Sequence, residues 1–151
     1  MADVERLHFK IGLTGTYWDK APRYGVVVND QVIKIDNIQA PSGEVEYFEF
    51  DVDLEEGPCE LKIKLINKES TDVVKDNPDS PDFTIIKDLL LNIKSVEIDE
   101  IDLANLIHTK SHFIPDNKEH PELDMCIDLG WNGTWVLPFE SPFYIWLLEN
   151  I

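Results

Sequence analysis

The stretch Cys126 to Leu148, "CIDLGWNGTWVLPFESPFYIWLL", gathers three of the chain's four tryptophans around one Asn-Gly step. These rings are either a platform for a ligand or the core of a small domain, and the choice decides how the rest of the chain is read. Side chains alternate faces along a strand, so the two hairpin registers open to Asn132-Gly133 put Trp135 on opposite faces. A two-residue turn sets Trp135 beside Gly130 and Leu137 beside Asp128, mixing apolar and acidic positions. A three-residue loop, Trp131-Asn132-Gly133, pairs Leu129 with Trp135, Ile127 with Leu137 and Met125 with Phe139. That register segregates the faces better. It makes Trp135 core, joined by Trp146, and leaves Trp131 at a loop tip. Beyond it, Ser141 before Pro142 reads as an N-cap followed by a first helical residue, predicting a short buried helix over 143–149, with a terminal strand as the alternative.

Upstream the same period of two recurs between turn residues, which predicts an all-β, antiparallel β-sandwich of jelly-roll type forming one domain over residues 1–151. In "YGVVVNDQVIKID" an Asn29-Asp30 turn pairs Val28 with Gln31 and places Tyr24, Val26, Ile33 and Ile35 on one face. In "VEYFEFDVDL", Phe48, Phe50, Val52 and Leu54 alternate with Tyr47, Glu49, Asp51 and Asp53. The Gly57-Pro58 turn suggests that Leu61, Ile63 and Leu65 return beside that strand, with Asp and Lys paired across it. "KESTDVVKDNPDSPD", residues 68–82, reads as a surface loop with a short extended piece at 72–74. "LLLNIKSVEIDEIDLANLI" follows as a strand with a bulge where the alternation slips.

The chain has 151 residues, 43% of them hydrophobic, enough to bury a core without staples. Cys59 and Cys126 sit in alternating segments and are expected as buried free thiols. Thirty acidic residues against 13 Lys and Arg give a net charge of −17. Such a charge repels phosphate backbones and anionic lipid, which disfavours nucleic-acid and membrane partners. No run of about 18 apolar residues occurs, and Met1 to Lys10 lacks the basic start and apolar stretch of a secretory signal, so an intracellular origin is expected.

Enzyme signatures are missing. There is no HExxH, GxSxG, GxxxxGK[ST] or GxGxxG, and "HTKSH" at 108–112 lacks the glutamate of a zinc protease. A glycan hydrolase would need a carboxylate pair, and with 30 acids no particular pair stands out. Two binding chemistries are better supported. "LTGTYWDKAPRYG" sets Tyr17 and Trp18 with Asp19 and Arg23 in a Gly/Pro loop, where a ring face could pack on sugar C–H bonds while polar neighbours meet hydroxyls. Trp131 is a further candidate. A covering role for Tyr17 and Trp18 at the open end of the sandwich is the alternative. Asn67, Asp72, Asp76, Asp79, Asp82 and Asp88 surround the central loop, the oxygen-rich composition that suits calcium. A solvated acidic loop is the plainer reading.

Two segments taken together, "VVVNDQV" and "LKIKLIN" followed after an acidic loop by "KDLLLNIKSVEID", resemble the small jelly-roll carbohydrate-binding modules of the calcium-dependent xylan-binding type. The resemblance implies calcium ligands near Asn67 and Asp88, within a candidate metal set of Asn67, Asp72 and Asp88. At the step after Asn67 this chain has Lys68 where the pattern has an acid. The chain as a whole, particularly "DLGWNGTWVLPFESPFYIWLLENI", also resembles uncharacterised proteins of T4-like marine bacteriophages.

Together these readings predict a non-enzymatic accessory or structural protein of a tailed phage particle, made in the host cytoplasm and located in the virion. Its partners would be other virion proteins or further copies of itself. A calcium-dependent adhesin module binding cell-surface polysaccharide is the alternative, and an acidic inhibitor of a host protein an outside one.

Overall fold

The computed structural model describes residues 3–77 and 79–151. Met1 and Ala2, at the start of the segment read for a leader, and Pro78, in the predicted loop, lie outside the described residues. In chain order the strands are β1 (Val4–Thr16), β2 (Arg23–Val28), β3 (Gln31–Asn37), β4 (Val45–Glu55), β5 (Gly57–Leu65), β6 (Val74–Lys75), β7 (Ile85–Lys87) and β8 (Leu90–Ile98). They continue as β9 (Ile101–Asp102), β10 (His112–Pro115), β11 (Leu123–Asp124), β12 (Asp128–Leu129) and β13 (Gly133–Ser141). Helix α1 (Leu106–Thr109) separates β9 from β10, and helix α2 (Phe143–Asn150) follows β13.

Two antiparallel sheets carry the architecture. One runs β12-β8-β1-β4 with β9 on β8, the other β11-β10-β13-β5-β2-β3, and β6-β7 form a small separate ribbon. The inner faces meet through aromatic rings. Phe9 of β1 stands edge-on to Phe139 of β13 at 6.1 Å, and Tyr24 of β2 stacks on Phe48 of β4 at 5.8 Å. Leu7, Phe9, Ile11 and Leu13 of β1, fully buried at every second position, show the period of a strand packed on a core. The fold is therefore an all-β antiparallel sandwich of jelly-roll type with a short C-terminal helix.

Several local expectations hold. Val28 pairs with Gln31 across Asn29-Asp30. The alternation of Phe48, Phe50, Val52 and Leu54 in β4 is the observed one. The slip in β8 is a bulge at Lys94, between the pairs Gly12–Ser95 and Leu13–Ile93. Both cysteines are free, and Cys59 is buried as expected, whereas Cys126 is only half-buried.

Other expectations fail for reasons of sheet assignment. Gly57-Pro58 closes no hairpin, because β4 pairs with β1 while β5 lies in the other sheet between β13 and β2. The Asp/Lys ladder across it is consequently absent, and Asp51 binds His8 and Arg6 instead. Trp131-Asn132-Gly133 is likewise a crossing between sheets. β12 pairs with β8, whereas β13 pairs with β5 and β10, so neither hairpin register forms and Met125 is half exposed. Trp135 is fully buried nonetheless, because β13 is a central strand whose alternate residues face the core.

A bulge between Val26 and Val27 shifts β3 by one residue, putting Ile35 opposite Gly25 and leaving it 54% exposed. Lys34 reaches the inner side instead, its ammonium 4.8 Å from the centre of the Phe48 ring. In the loop after β5, Ser70–Asp72 form a 3-10 turn and the extended piece is Val74–Lys75. The strand read over residues 89–107 ends at Ile98, where Asp99 and Glu100, both at positive φ, turn the chain into β9. At α2 the N-cap is Pro142 without a side-chain cap. Glu5 of β1 does the capping, accepting from Phe143 N–H at 2.9 Å and from the Ser141 hydroxyl at 2.8 Å.

Candidate functional site

Four chain crossings at one end of the sandwich enclose a cleft of about 700 Å³. They are the exit of β5 (Lys68 to Ser70), the link into β8 (Asp88), the loop after β10 (Asp116 to His120) and the crossing before β13 (Gly130 to Asn132). Asn132 ties the first to the last. Its side-chain oxygen accepts from Lys68 N–H at 2.8 Å, and its amide donates to the Lys68 carbonyl at 3.0 Å. This reciprocal pair joins the two strand exits by side chain beyond Leu65–Gly133, where the main-chain ladder stops. The Asn132 carbonyl accepts from Asp116 N–H at 2.9 Å, fixing the β10 exit to the same point.

The floor is polar. Lys68 donates its ammonium to Asp88 Oδ1 and to the Gly130 carbonyl, each at 2.6 Å, with its side chain only 11% exposed. Asp88 Oδ1 also accepts from Leu89 N–H at 2.7 Å. One wall is aromatic. Trp131 and His120 lie face to face, centroids 4.0 Å apart and planes 5° from parallel. Val73 and Ile85 add apolar surface, and Ser70, Asp116 and Asn117 also line the cleft, the Asn117 side-chain oxygen accepting from Glu119 N–H at 2.9 Å. A stacked aromatic pair in one cleft with hydrogen-bonding groups suits a ligand with apolar faces and a rim of hydroxyls. Glu69, Asp88 and Asp116 outnumber the one lysine, so the cleft's field disfavours anions.

Of the sequence-predicted ligand residues, Trp131 lines this cleft and the other four do not. Tyr17 is half-buried against the core and donates its hydroxyl to the Ala40 carbonyl at 2.8 Å. Trp18 is 45% exposed, but its Nε1 donates to the Asp72 carbonyl at 2.9 Å and Lys87 sits over its ring at 4.8 Å. Asp19 is exposed, and Arg23 donates to the Asn37 side chain at 2.9 Å. Lys20, between them, bridges Glu69 at 3.2 Å and Asp72 at 3.1 Å. Through Trp18 and Lys20 the loop clamps the 3-10 turn that borders the cleft.

The candidate metal set is committed elsewhere. Asn67 accepts from Arg23 N–H at 2.8 Å and donates to the Ala21 carbonyl at 3.1 Å. Asp72, 4% exposed, accepts from Glu69 N–H and Lys20. Asp88 is held by Lys68. Three side chains on three different partners do not offer a joint set of oxygens, and the donors nearest one another already surround an ammonium, so these residues do not fit calcium. Among the described residues no group of three or more His, Cys, Asp and Glu is placed to hold a metal ion. His108 lies in α1 and His112 in β10, on separate elements.

Sequence reasoning missed Lys68, Asn132, Asp116, Asn117 and His120 as cleft residues. Asn132-Gly133 carried a signal, but it was spent on a hairpin, and the pairing of Lys68 with Asp88 spans 20 positions with no local pattern to announce it.

No family model and no curated protein sequence matches the chain. Two solved structures share its fold. One is vCBM60 in selenomethionine form, among the calcium-dependent carbohydrate-binding modules whose two families circular permutation links; its TM-score is 0.57 at 7% identity, covering 87% of this chain and 89% of that one. The other is vCBM60 in complex with galactobiose, with a TM-score of 0.55 at 6% identity over 86% and 96% of the two chains. The chain thus has the fold of a carbohydrate-binding module.

Proposed function

We propose that this chain is a non-catalytic glycan-binding module that takes a neutral sugar in the cleft between Trp131 and Asp88. The observation that carries the reading is the Trp131–His120 stack lining, together with Ser70, Asp116 and Asn117, a cleft of about 700 Å³. Support comes from the fold, shared with a module solved with galactobiose. The acidic rim selects neutral over anionic sugars. A binding role also agrees with the thiols, since burial pushes Cys59 and Cys126 up from their ordinary range and away from the nucleophilic thiolate. The test is affinity electrophoresis through neutral galactan and xylan and through an acidic polysaccharide, with Trp131→Ala beside the parent chain. Retardation by a neutral gel that Trp131→Ala abolishes while its thermal melt is kept supports the reading. Equal mobility of the two proteins in every gel defeats it.

A virion-associated accessory role is the second reading. It rests on the resemblance of residues 128–151 to phage proteins and on the apolar surface around α2, where Ile145 is 56%, Leu148 73% and Ile151 79% exposed. Docking through this end leaves the cleft, lined by other segments, open to a glycan, so the two readings combine as a particle-borne adhesin. Co-sedimentation with assembled particles, lost on Leu148→Glu, is the expected outcome; free protein after particle isolation would remove the virion role and leave the module.

A further inference from the structure

We infer that Lys68 is a built-in cation: its ammonium supplies, from within the chain, the positive charge that closes the cleft floor, so that the cleft forms and takes its ligand without calcium. The inference about the floor stands on geometry alone; its extension to ligand uptake rests on the glycan-binding reading.

Three observations point the same way. First, the ammonium sits 2.6 Å from a carboxylate oxygen of Asp88 and 2.6 Å from the main-chain carbonyl of Gly130. A carboxylate and a main-chain carbonyl are the donor types that a hard cation collects, and here they converge on a nitrogen. Second, the pair is desolvated. Side-chain exposure is 11% for Lys68 and 22% for Asp88, against 71% and 45% for the Arg6–Asp51 pair on the outer surface. A charge withdrawn from water this far is kept only by a partner, so each of the two groups requires the other. Third, the main chain that carries the lysine is fixed in place, because its own N–H and C=O are both bound to the Asn132 side chain.

These contacts also exclude a metal. Ca²⁺ on the same two oxygens at its usual 2.3–2.6 Å would stand within about 5 Å of the ammonium, two like charges in a site with little water to screen them. The oxygens of Asn67 and Asp72 do not compensate, because they are bound to main-chain groups and to Lys20. Structural neighbours are described as calcium-dependent; in this chain a covalently tethered monovalent cation holds Asp88 and Gly130 together.

The experiment is a thermal melt of the full chain in EDTA and in millimolar calcium chloride, run on the parent, on Lys68→Met and on the exposed-lysine control Lys110→Met. The parent is expected to melt within about 1 °C in both buffers, since an ion that does not bind the native state adds no stability. Lys68→Met, of similar length but without charge, should melt roughly 5–10 °C lower than Lys110→Met, because it strands Asp88. A calcium-dependent rise in the parent, or a Lys68→Met melt equal to the control, overturns the inference. Should Lys68→Met fail to fold, the parent arm still decides. Retention on the neutral gel is then compared in the two buffers. Equal retention supports the inference, and retention restored only by calcium overturns it. If the parent binds no gel in either buffer, the glycan-binding reading falls while the melts judge the cation on their own.

Discussion

His120 lies flat against Trp131, 4.0 Å between ring centres and 5° from parallel, although the two residues come from different loops. The stack joins the β10–β11 loop to the crossing before β13 and makes the aromatic wall of the cleft from two half-exposed rings. Trp131→Ala removes the larger ring and its partner's support together. The expected result is at least about tenfold weaker retention on a neutral glycan gel, a loss of about 1.4 kcal/mol or more, as for an aromatic anchor in a binding site. Trp131→Phe keeps a smaller face and should fall between. His120→Ala leaves the indole in place, so its loss should be smaller than that of Trp131→Ala; the reverse order would move the contact surface to the imidazole.

Gly133 is required by crowding rather than by a turn. It pairs with Leu65 on one side and Pro115 on the other, and a Cβ there would lie 2.5 Å from the Ile114 carbonyl oxygen and 2.8 Å from Pro115 Cα. Backbone atoms of a central strand cannot yield as a flexible side chain does. Gly133→Ala should cost about 2–3 kcal/mol, which lowers the melting temperature by roughly 5–10 °C. Gly43→Ala is the contrast. Its added Cβ meets nothing within 4 Å, and only the left-handed φ of +87° opposes it, a penalty of about 1 kcal/mol. Equal melts for the two variants would contradict the packing argument.

His8 is bracketed by carboxylates on the outer face of the β1–β4 pair, its Nε2 2.9 Å from Glu49 and its Nδ1 2.7 Å from Asp51. The hydrogen bond to Glu49, then that to Asp51, raises its pKa above the usual 6.5. Arg6, 3.8 Å from Asp51, competes for that carboxylate, and Asp99 accepts from the His8 main-chain N–H. A folded value above the unfolded one means the charged ring stabilises the native state. That contribution is complete below pH 6.5 and fades as pH rises through the raised folded value. The gap in melting temperature between parent and His8→Gln should accordingly be widest below pH 6.5 and shrink above it. An imidazole titration by NMR with a midpoint at or under 6.5 would refute the assignment.

How much of this was legible in the sequence depended on whether a signal was local. The period of two in Phe48, Phe50, Val52 and Leu54 and the Asn29-Asp30 turn are written in consecutive residues, and both were read correctly. Sheet membership is not. Gly57-Pro58 and Asn132-Gly133 look like hairpin turns, yet each carries the chain between sheets, because the partners of β5 and β13 come from distant strands. The cleft is built from such crossings. Trp131 was singled out as the ring left over from the core, whereas Lys68, Asp88 and Asn132 became neighbours only through the way the two sheets close.

Tyr24 shows what a core aromatic with an idle hydroxyl contributes. The residue is fully buried, its ring stacked on Phe48, and the hydroxyl finds no hydrogen-bond partner among the described residues. Burial pushes its pKa up to about 12, with the Glu46 and Asp36 carboxylates adding to the effect. Tyr24→Phe keeps the stack and deletes a polar group desolvated without return, so stability at neutral pH should be unchanged or higher by about 1 kcal/mol. The alkaline limb separates the two proteins further. A tyrosine whose folded pKa lies above the ordinary 10 favours the native state fully below pH 10, and that advantage is lost progressively as pH rises toward 12 because the unfolded chain ionises first. Base-induced unfolding, followed by tryptophan fluorescence, should therefore begin at higher pH in Tyr24→Phe than in the parent. A parent that resists base better than the variant would mean that the hydroxyl holds a partner worth more than its burial costs.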